Sequence, residues 1–215
     1  MPSGQCGINY AISKRRKNFF FTLSCLVFVL LALLDNLFIK NIRYSRAVSP
    51  EQVNAQDIEK YHNKTFIVIN VIDGDTFDIN IPDNENEYTR IRLLGIDAPE
   101  TNTESGPMYF SQQATEFAKN LILEKQVHVY LDEGNDTRGK YGRLLAYVQL
   151  PDGSFLNEVL LNEGFVYADL RFRHSFYNKY KQLESRARSN NKGLWQNVTP
   201  DQMPKWLQER ESVLR

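Results

Sequence analysis

The stretch that decides the fold is RIRLLGIDAPE, residues 90–100. Its first half is largely apolar, with Arg92 projecting among the apolar side chains, and this pattern predicts a buried strand. Pro99 ends the strand, because proline has no amide proton to donate to a sheet. The strand therefore leads into a rigid corner that carries two carboxylates, Asp97 and Glu100.

Two other turns carry side chains of the same chemical types. Upstream, IDGDT at residues 72–76 places two carboxylates in a tight turn. Downstream, GKYGR at residues 139–143 places Arg143 where a loop re-enters a strand, with the candidate substrate-binding residues Lys140 and Tyr141 beside it. Carboxylates suit a hard metal ion, and arginines suit a phosphate.

Hydrophobic periodicity predicts five strands, at residues 65–72, 76–81, 88–96, 126–131 and 143–150. It also predicts three helices, at residues 107–122, 155–162 and 176–189, the first of them beginning at Pro107. Three strands in a meander followed by a helix are the opening of an OB-type barrel. We therefore expect an α+β fold, a five-stranded OB-fold β-barrel with about three helices.

The N-terminal part differs in composition from the rest. A basic segment at residues 1–18 precedes a hydrophobic helix at residues 19–39, whose first sixteen residues carry no charge. Extended to residue 39, this helix has the length that a hydrocarbon core of about 30 Å requires. The interpretation is a membrane anchor that holds the domain outside the cytoplasm; a cleaved signal peptide, giving a secreted protein, and an organelle-targeting segment are the alternatives.

The remaining chain is predicted to be a linker at 40–64, the barrel domain at 65–197 and a polar tail at 198–215. The formal net charge of the 215 residues is zero, but residues 48–215 hold 19 basic and 25 acidic residues, a charge of about −6. A protein that coats nucleic acid would have the opposite sign, so that class is disfavoured. Both cysteines, Cys6 and Cys25, precede residue 48, which excludes a disulfide or thiolate metal site within the domain.

Two aspartates are candidate metal ligands. Asp75 and Asp97 follow different strands, and these strand ends adjoin in a barrel of this order. Pro99 restricts Ala98 to extended backbone angles, which fixes the direction of the Ala98 carbonyl. These oxygens form a partly open shell, which suits Ca²⁺ and leaves positions for waters and a phosphate oxygen. Because the site has only two carboxylates, we expect weak metal binding without substrate.

The other charged residues suit attack on a phosphodiester, whose anionic oxygens repel hydroxide. Arg92 and Arg143 are candidates to bind phosphate oxygens through paired N–H groups. Glu100 is placed to hold or deprotonate the attacking water. Alternatively, Arg92 forms a structural ion pair with Glu100, since an arginine in an apolar strand needs an anionic partner. Asp57 and Asp132 are interpreted as solvated loop charges.

In this order and at this spacing, IDGDT, RLLGIDAPE and KYGR resemble the staphylococcal nuclease (thermonuclease) family, over roughly residues 65–195. The resemblance implies a Ca²⁺-dependent endonuclease that acts on DNA and RNA on an OB-fold. Its implied partners are single-stranded or unstructured nucleic acids, and the chain is expected to be a monomer. The family's functional residues match metal ligands Asp75 and Asp97 and catalytic residues Arg92, Glu100 and Arg143.

This chain departs from the family pattern at three places. Ala98 stands where the archetype has threonine, with little expected effect because the ligand is the backbone carbonyl. Residues 101–106 replace a lysine-rich loop, and the domain is acidic, so weaker substrate binding is expected. The tyrosines that pack on the bound nucleotide have Tyr167 and Phe172 as candidate counterparts here.

Two alternatives of another class remain open. The domain could be a catalytically inactive OB-fold module that binds nucleic acid or a protein partner at a membrane, although such modules usually lack part of the acid–arginine set. It could also be a scaffold at the envelope, with the membrane segment as its primary feature. Cleavage that depends on a metal ion separates the enzyme from both.

Overall fold

The computed structural model describes residues 27, 29–31, 33–34 and 49–213. The six residues described between 27 and 34 are helical and exposed, and the rest of the predicted segments 1–18 and 19–39 lies outside the described residues. Within the described residues, no helix has both the length and the apolar character needed to cross a membrane. Pro50–Arg215 forms a compact unit of its own, and the fold lies in this unit.

The elements of this unit alternate along the chain. Its strands are β1 (Lys64–Val71), β2 (Thr76–Ile79), β3 (Thr89–Leu93), β4 (Ile96–Asp97), β5 (Gln126–Tyr130), β6 (Leu144–Gln149) and β7 (Tyr167–Ala168). Its α-helices are α1 (Pro50–Tyr61), α2 (Ser111–Ile122), α3 (Leu156–Asn162), α4 (Tyr177–Ser189) and α5 (Lys205–Val213). Short 3₁₀ turns occupy Gly193–Gln196 and Pro200–Gln202.

Five strands close into a barrel in the order β1-β2-β3-β6-β5, which confirms the predicted five-stranded α+β barrel. Only β3 and β6 pair in parallel. The long strand β1 pairs with β5 through its first half and with β2 through its second half, and an irregularity between Val68 and Asn70 bends it. The barrel is therefore closed by β1 and β6, each of which belongs to both of its sheets.

The predicted third strand, residues 88–96, is divided in the structure. β3 ends at Leu93, and Gly95 then adopts a φ of 78°, a conformation that favours glycine. The chain resumes as β4, which pairs with β7 rather than with the barrel. An added side chain at Gly95 would collide with His174, so the turn has no room for one. The division places Asp97 near Asp75, which immediately precedes β2.

Three helical regions differ from the predictions. Residues 50–61, predicted as part of a linker, form α1, and residues 205–213 of the predicted polar tail form α5. The predicted helix start at Pro107 is corrected to Ser111, because Phe110 has a φ of 68° and no helix can continue through it. The observed unit thus extends beyond both ends of the predicted domain, with α1 before residue 65 and α5 after residue 197.

Helix α1 is attached to the barrel by a buried ion pair that the sequence did not indicate. Asp57 is 5 % exposed and pairs with Arg138 at 2.6 Å, and Arg138 also pairs with Asp83. Asp132 is buried as well, and it accepts a hydrogen bond from Tyr147 Oη at 2.9 Å. Asp57 and Asp132 are therefore structural acids, not the solvated charges that were expected.

Candidate active site

The first carboxylate of the site lies in the turn between β1 and β2. Asp73 accepts a hydrogen bond from the amide of Asp75 at 2.9 Å, which closes a tight turn. The Asp75 carboxylate accepts hydrogen bonds from the hydroxyl of Thr76 at 2.9 Å and from the amide of Ala98. One buried carboxylate thus joins this turn to the corner that follows β4.

Arg92, on β3, brings the two candidate metal ligands together. Its Nη1 lies 3.0 Å from Asp75 Oδ2, and its Nη2 lies 2.6 Å from Asp97 Oδ1. Nη1 also donates to two backbone carbonyls around the turn after β3. Burial alone would lower the pKa of Arg92, but the two carboxylates outweigh it and raise that pKa. The anionic partner of Arg92 is this aspartate pair; among the described residues, Glu100 forms no ion pair.

The electrostatics of the two aspartates indicate a shortage of positive charge. Burial raises the pKa of Asp75 well above its usual value; Arg92 opposes this, whereas Asp73 and Asp97 add to it. Burial also raises the pKa of Asp97, again against the effect of Arg92. Arg92, with Arg171 beside Asp97, does not offset the burial of these carboxylates, so a bound cation would find favourable charge here.

Glu100 lies within electrostatic reach of both arginines. Burial is the largest influence and raises the pKa of Glu100, and repulsion from Asp73 and Asp97 raises it further. Arg92 and Arg143 both lower it. A carboxyl group with a raised pKa is a better proton acceptor at neutral pH than an ordinary one. The corner therefore presents a carboxyl group within electrostatic reach of two cations, and its role as a base stays a prediction.

The donor set fits a hard divalent cation, held weakly. Within the part of the chain that the structure describes, no group of three or more His, Cys, Asp or Glu side chains is arranged to hold an ion. Asp75 and Asp97 supply two carboxylates, and each of their oxygens has two lone pairs. Such a shell is completed by waters, by a backbone carbonyl such as that of Ala98, or by a substrate phosphate.

Arg143 reaches the site from the loop that precedes β6. Its Nη1 donates to the hydroxyl of Thr76 at 3.4 Å, next to Asp75. Arg143 and Arg92 line the same open cleft, which has a volume of about 530 Å³. The two predicted phosphate-binding arginines therefore face one space, although Arg92 lies on β3 and Arg143 lies in the loop before β6.

The cleft concentrates positive charge in a domain whose net charge is negative. Its basic lining residues are Arg92, Arg138, Lys140, Arg143, Arg171 and Arg173, and its carboxylates are Asp136 and Asp169. A cleft in which one sign of charge predominates raises the local concentration of an oppositely charged ligand. An acidic domain can therefore still attract a polyanion at this one place.

The predicted substrate-binding residues are divided by the structure. Tyr141 and Phe172 line the cleft and are 75 % and 65 % exposed, and the Nζ atom of Lys140 lies 5.5 Å from the ring of Tyr141. Tyr167 is fully buried and packs edge-on against Trp195 at 5.4 Å between ring centroids. The prediction for Tyr167 is therefore corrected, because β7 turns this ring into the core.

Sequence reasoning missed two residues that contact the candidate ligand Asp97. Trp206, on α5, donates its indole N–H to Asp97 Oδ2 at 2.8 Å. The guanidinium of Arg171 lies 3.6 Å from Asp97 Oδ1 and pairs with Asp169 at 2.8 Å. The local sequence around Trp206 or Arg171 does not indicate a contact with Asp97, because Asp97 is distant in sequence from both.

Comparison with known proteins agrees with this geometry. The family of staphylococcal nuclease homologues matches residues 90–197. A thermonuclease of Staphylococcus hyicus is 32 % identical over 138 residues, which cover 63 % of this chain and 78 % of the relative. An uncharacterized endonuclease of Escherichia coli is 30 % identical over 146 residues, covering 65 % and 81 %. A thermonuclease of Staphylococcus intermedius is 30 % identical over 162 residues, covering 72 % and 88 %.

Proposed function

Because this chain belongs to the staphylococcal nuclease family, we propose that it is a nuclease that hydrolyses phosphodiester bonds in DNA and RNA, with Ca²⁺ as cofactor and little sequence specificity. One observation carries this proposal: Asp75 and Asp97 meet on the single guanidinium of Arg92, with Glu100 and Arg143 in electrostatic reach of one another. An inactive OB-fold module would not require this complete set of two aspartates, two arginines and one glutamate. The names of the relatives, thermonuclease and endonuclease, support the same activity.

In this proposal, the two arginines neutralise the phosphate. Arg92, on β3, and Arg143, in the loop before β6, line one cleft, so both can donate to the non-bridging oxygens of one phosphodiester. Bound Ca²⁺ would supply further positive charge to the same oxygens. Because hydrogen-bond donors fixed in a partly buried site are oriented before the reaction, they stabilise the charge that develops during attack.

Glu100 acts as the general base. Its carboxylate accepts a proton from the water that attacks phosphorus, and its raised pKa improves it for this role at neutral pH. Glu100 is exposed at the surface of the corner, so water can reach it. Proton transfer of this kind needs the carboxylate to be ionised, and activity therefore rises with pH through the pKa of Glu100.

The cleft favours flexible, single-stranded substrates. Tyr141 and Phe172 are exposed aromatic rings on the basic cleft, and such rings stack on bases of any identity. Stacking and phosphate contacts carry no sequence information, which accounts for the low specificity in the proposal. Unpaired bases are available for stacking, whereas paired bases are not.

Metal removal tests the proposal directly. The purified full-length chain is expected to digest single-stranded DNA in Ca²⁺, and excess EDTA is expected to stop the digestion until Ca²⁺ is restored. A gel assay that follows loss of intact substrate is sufficient. Binding of the DNA without metal-dependent cleavage would contradict the nuclease and support the OB-fold module.

We also propose that the N-terminal segment places the nuclease outside the cytoplasm, either anchored to a membrane or secreted after cleavage. The support is the basic segment at residues 1–18 followed by the uncharged residues 19–34. Fractionation of cells that express the full chain tests this. The chain is expected in the membrane fraction or the medium, and a cytoplasmic product would contradict the proposal.

A further inference from the structure

The last helix of the chain reaches the candidate metal site from outside the region that matches the family. The match ends at residue 197, whereas α5 begins at Lys205. From the first turn of α5, Trp206 donates its indole N–H to Asp97 Oδ2 at 2.8 Å. A segment that the sequence predicts to be a polar tail thus contacts a candidate ligand of the ion.

Together with Arg92, this contact restricts the orientation of the Asp97 carboxylate. Oδ1 accepts a hydrogen bond from Arg92 at 2.6 Å, and Oδ2 accepts the bond from Trp206. With a donor on each oxygen, the carboxylate plane has little freedom to rotate. Each oxygen has a second lone pair that could bind an ion, although Arg171 also lies 3.6 Å from Oδ1. Hydrogen bonds of this kind to ligating carboxylates orient the ligand and tune metal affinity.

The indole is itself held in place from its other side. The guanidinium of Arg171 lies 4.6 Å from the centroid of the Trp206 ring, which is a cation–π distance. Two hydrogen bonds, both 2.8 Å long, in turn fix Arg171 to Asp169. The ring of Trp206 is therefore enclosed between the helix and an oriented guanidinium.

Helix α5 is docked by packing and by charge, so the position of Trp206 is determined by the fold. Met203 and Leu207 are buried in one cluster with Tyr167. Arg188, on α4, pairs with Glu211, on α5, at 2.6 Å. The helix is thus fixed on both sides of the residue that contacts Asp97.

We propose that Trp206 is a positioning residue of the metal site, which holds Asp97 in the orientation that binds the ion. The C-terminal helix is then part of the nuclease site. This inference rests on the proposed function, because it requires that Asp97 ligates a cation. Trp206 touches neither substrate nor reacting atoms in this proposal, and it acts through Asp97 alone.

The experiment compares Trp206→Phe with Trp195→Phe in the full-length chain. Phenylalanine at 206 retains an aromatic ring beneath Arg171 but has no N–H for Asp97. Trp195 is the matched control, because its buried indole N–H has no hydrogen-bond partner among the described residues and its ring belongs to the same cluster. Calorimetric titration with Ca²⁺ alone is expected to give a Kd about tenfold weaker in Trp206→Phe and a wild-type Kd in Trp195→Phe.

Fluorescence gives a second readout that leaves Trp206 intact. The chain has two tryptophans, so only Trp206 emits in Trp195→Phe. The emission of Trp206 is expected to change as Ca²⁺ is added, and the fitted Kd should equal the Kd from calorimetry. The emission of Trp195, measured in Trp206→Phe, is expected to stay constant. In cleavage assays, Trp206→Phe is expected to need more Ca²⁺ for half-maximal rate and to recover the wild-type maximal rate at saturation.

The possible failures are distinct. If the wild-type chain binds no Ca²⁺, that result contradicts both the proposed metal site and the proposed role of Trp206. If it binds Ca²⁺ and Trp206→Phe binds equally well, only the role of Trp206 falls. Equal weakening in Trp195→Phe would assign the effect to packing of the cluster, and it would also overturn the proposal.

Discussion

Glu100→Gln is expected to lower the maximal rate of DNA cleavage by about 10²–10⁴-fold, the usual contribution of a general base. Glutamine has nearly the same shape, but it cannot accept the proton of the attacking water. The fold should tolerate the change, since Glu100 is exposed and forms no ion pair with any described residue. Initial rates with single-stranded DNA at saturating Ca²⁺ give the measurement, and thermal unfolding confirms that the variant is folded.

The control for this variant is Glu104→Gln, an exposed acid in the loop that follows the corner. It should retain the wild-type rate. A second test is the pH profile of the wild type: its rate should fall as pH drops through the pKa of Glu100, which burial, Asp73 and Asp97 raise above its usual value. Equal rates in Glu100→Gln and the wild type would remove Glu100 as the base and leave the water to be activated by another group.

The parts of this site that the sequence predicted are those that local chemistry determines. Pro99 ends a strand wherever it stands, so the position of Asp97 and Glu100 in a corner follows from adjacent residues. The alternation around Arg92 likewise shows a cation that needs an anion. The sequence could not choose the partner: Glu100 was the alternative considered, whereas the structure pairs Arg92 with Asp75 and Asp97. The partner of Arg92 depends on where β3 ends, just before Gly95. The continuous apolar pattern of residues 88–96 does not indicate this end.

The parts that the sequence did not predict depend on partners far along the chain. Helix α1 has a mostly polar sequence, and its buried Asp57 is explained by Thr137 and Arg138, which lie 80 and 81 residues away. Helix α5 is similar, since Trp206 meets Asp97 across 109 residues. Hydrophobic periodicity detects a helix through its apolar face, and neither helix has a strong one. Both were therefore assigned to flanking segments, although both contribute to the unit that holds the site.

Asp75→Asn is expected to abolish most cleavage and yet to stabilise the metal-free protein. Loss of one of two ligand carboxylates removes the charge that attracts the ion, so cleavage at moderate Ca²⁺ should fall by about a hundredfold or more. In EDTA the effect on folding has the opposite sign. Burial, together with Asp73 and Asp97, raises the pKa of Asp75, which means that the ionised form is disfavoured in the folded state.

The sign of the pH dependence follows from that shift. Because the folded protein binds the Asp75 proton more tightly than the unfolded chain does, metal-free wild type gains stability as pH falls through the raised pKa and loses it as pH rises. Asparagine does not ionise, so Asp75→Asn should lack this contribution. Above the raised pKa, removal of the disfavoured charge should therefore make the variant more stable than the wild type. Urea unfolding in EDTA across the range from pH 5 to pH 8 measures it.

Asp78→Asn is the matched control, because Asp78 is also a buried aspartate of the same strand region. Its carboxylate accepts two hydrogen bonds from Arg90, at 2.8 and 3.1 Å, and asparagine cannot accept both. This control should therefore lose stability. Asp75→Asn also replaces a carboxylate that accepts hydrogen bonds at both oxygens, so a gain in stability there measures the removal of a disfavoured buried charge beyond that loss. If both variants lose stability in EDTA, Asp75 serves chiefly as a structural partner of Arg92. If only Asp78→Asn does, the fold retains a strained carboxylate at position 75 because the ion requires it.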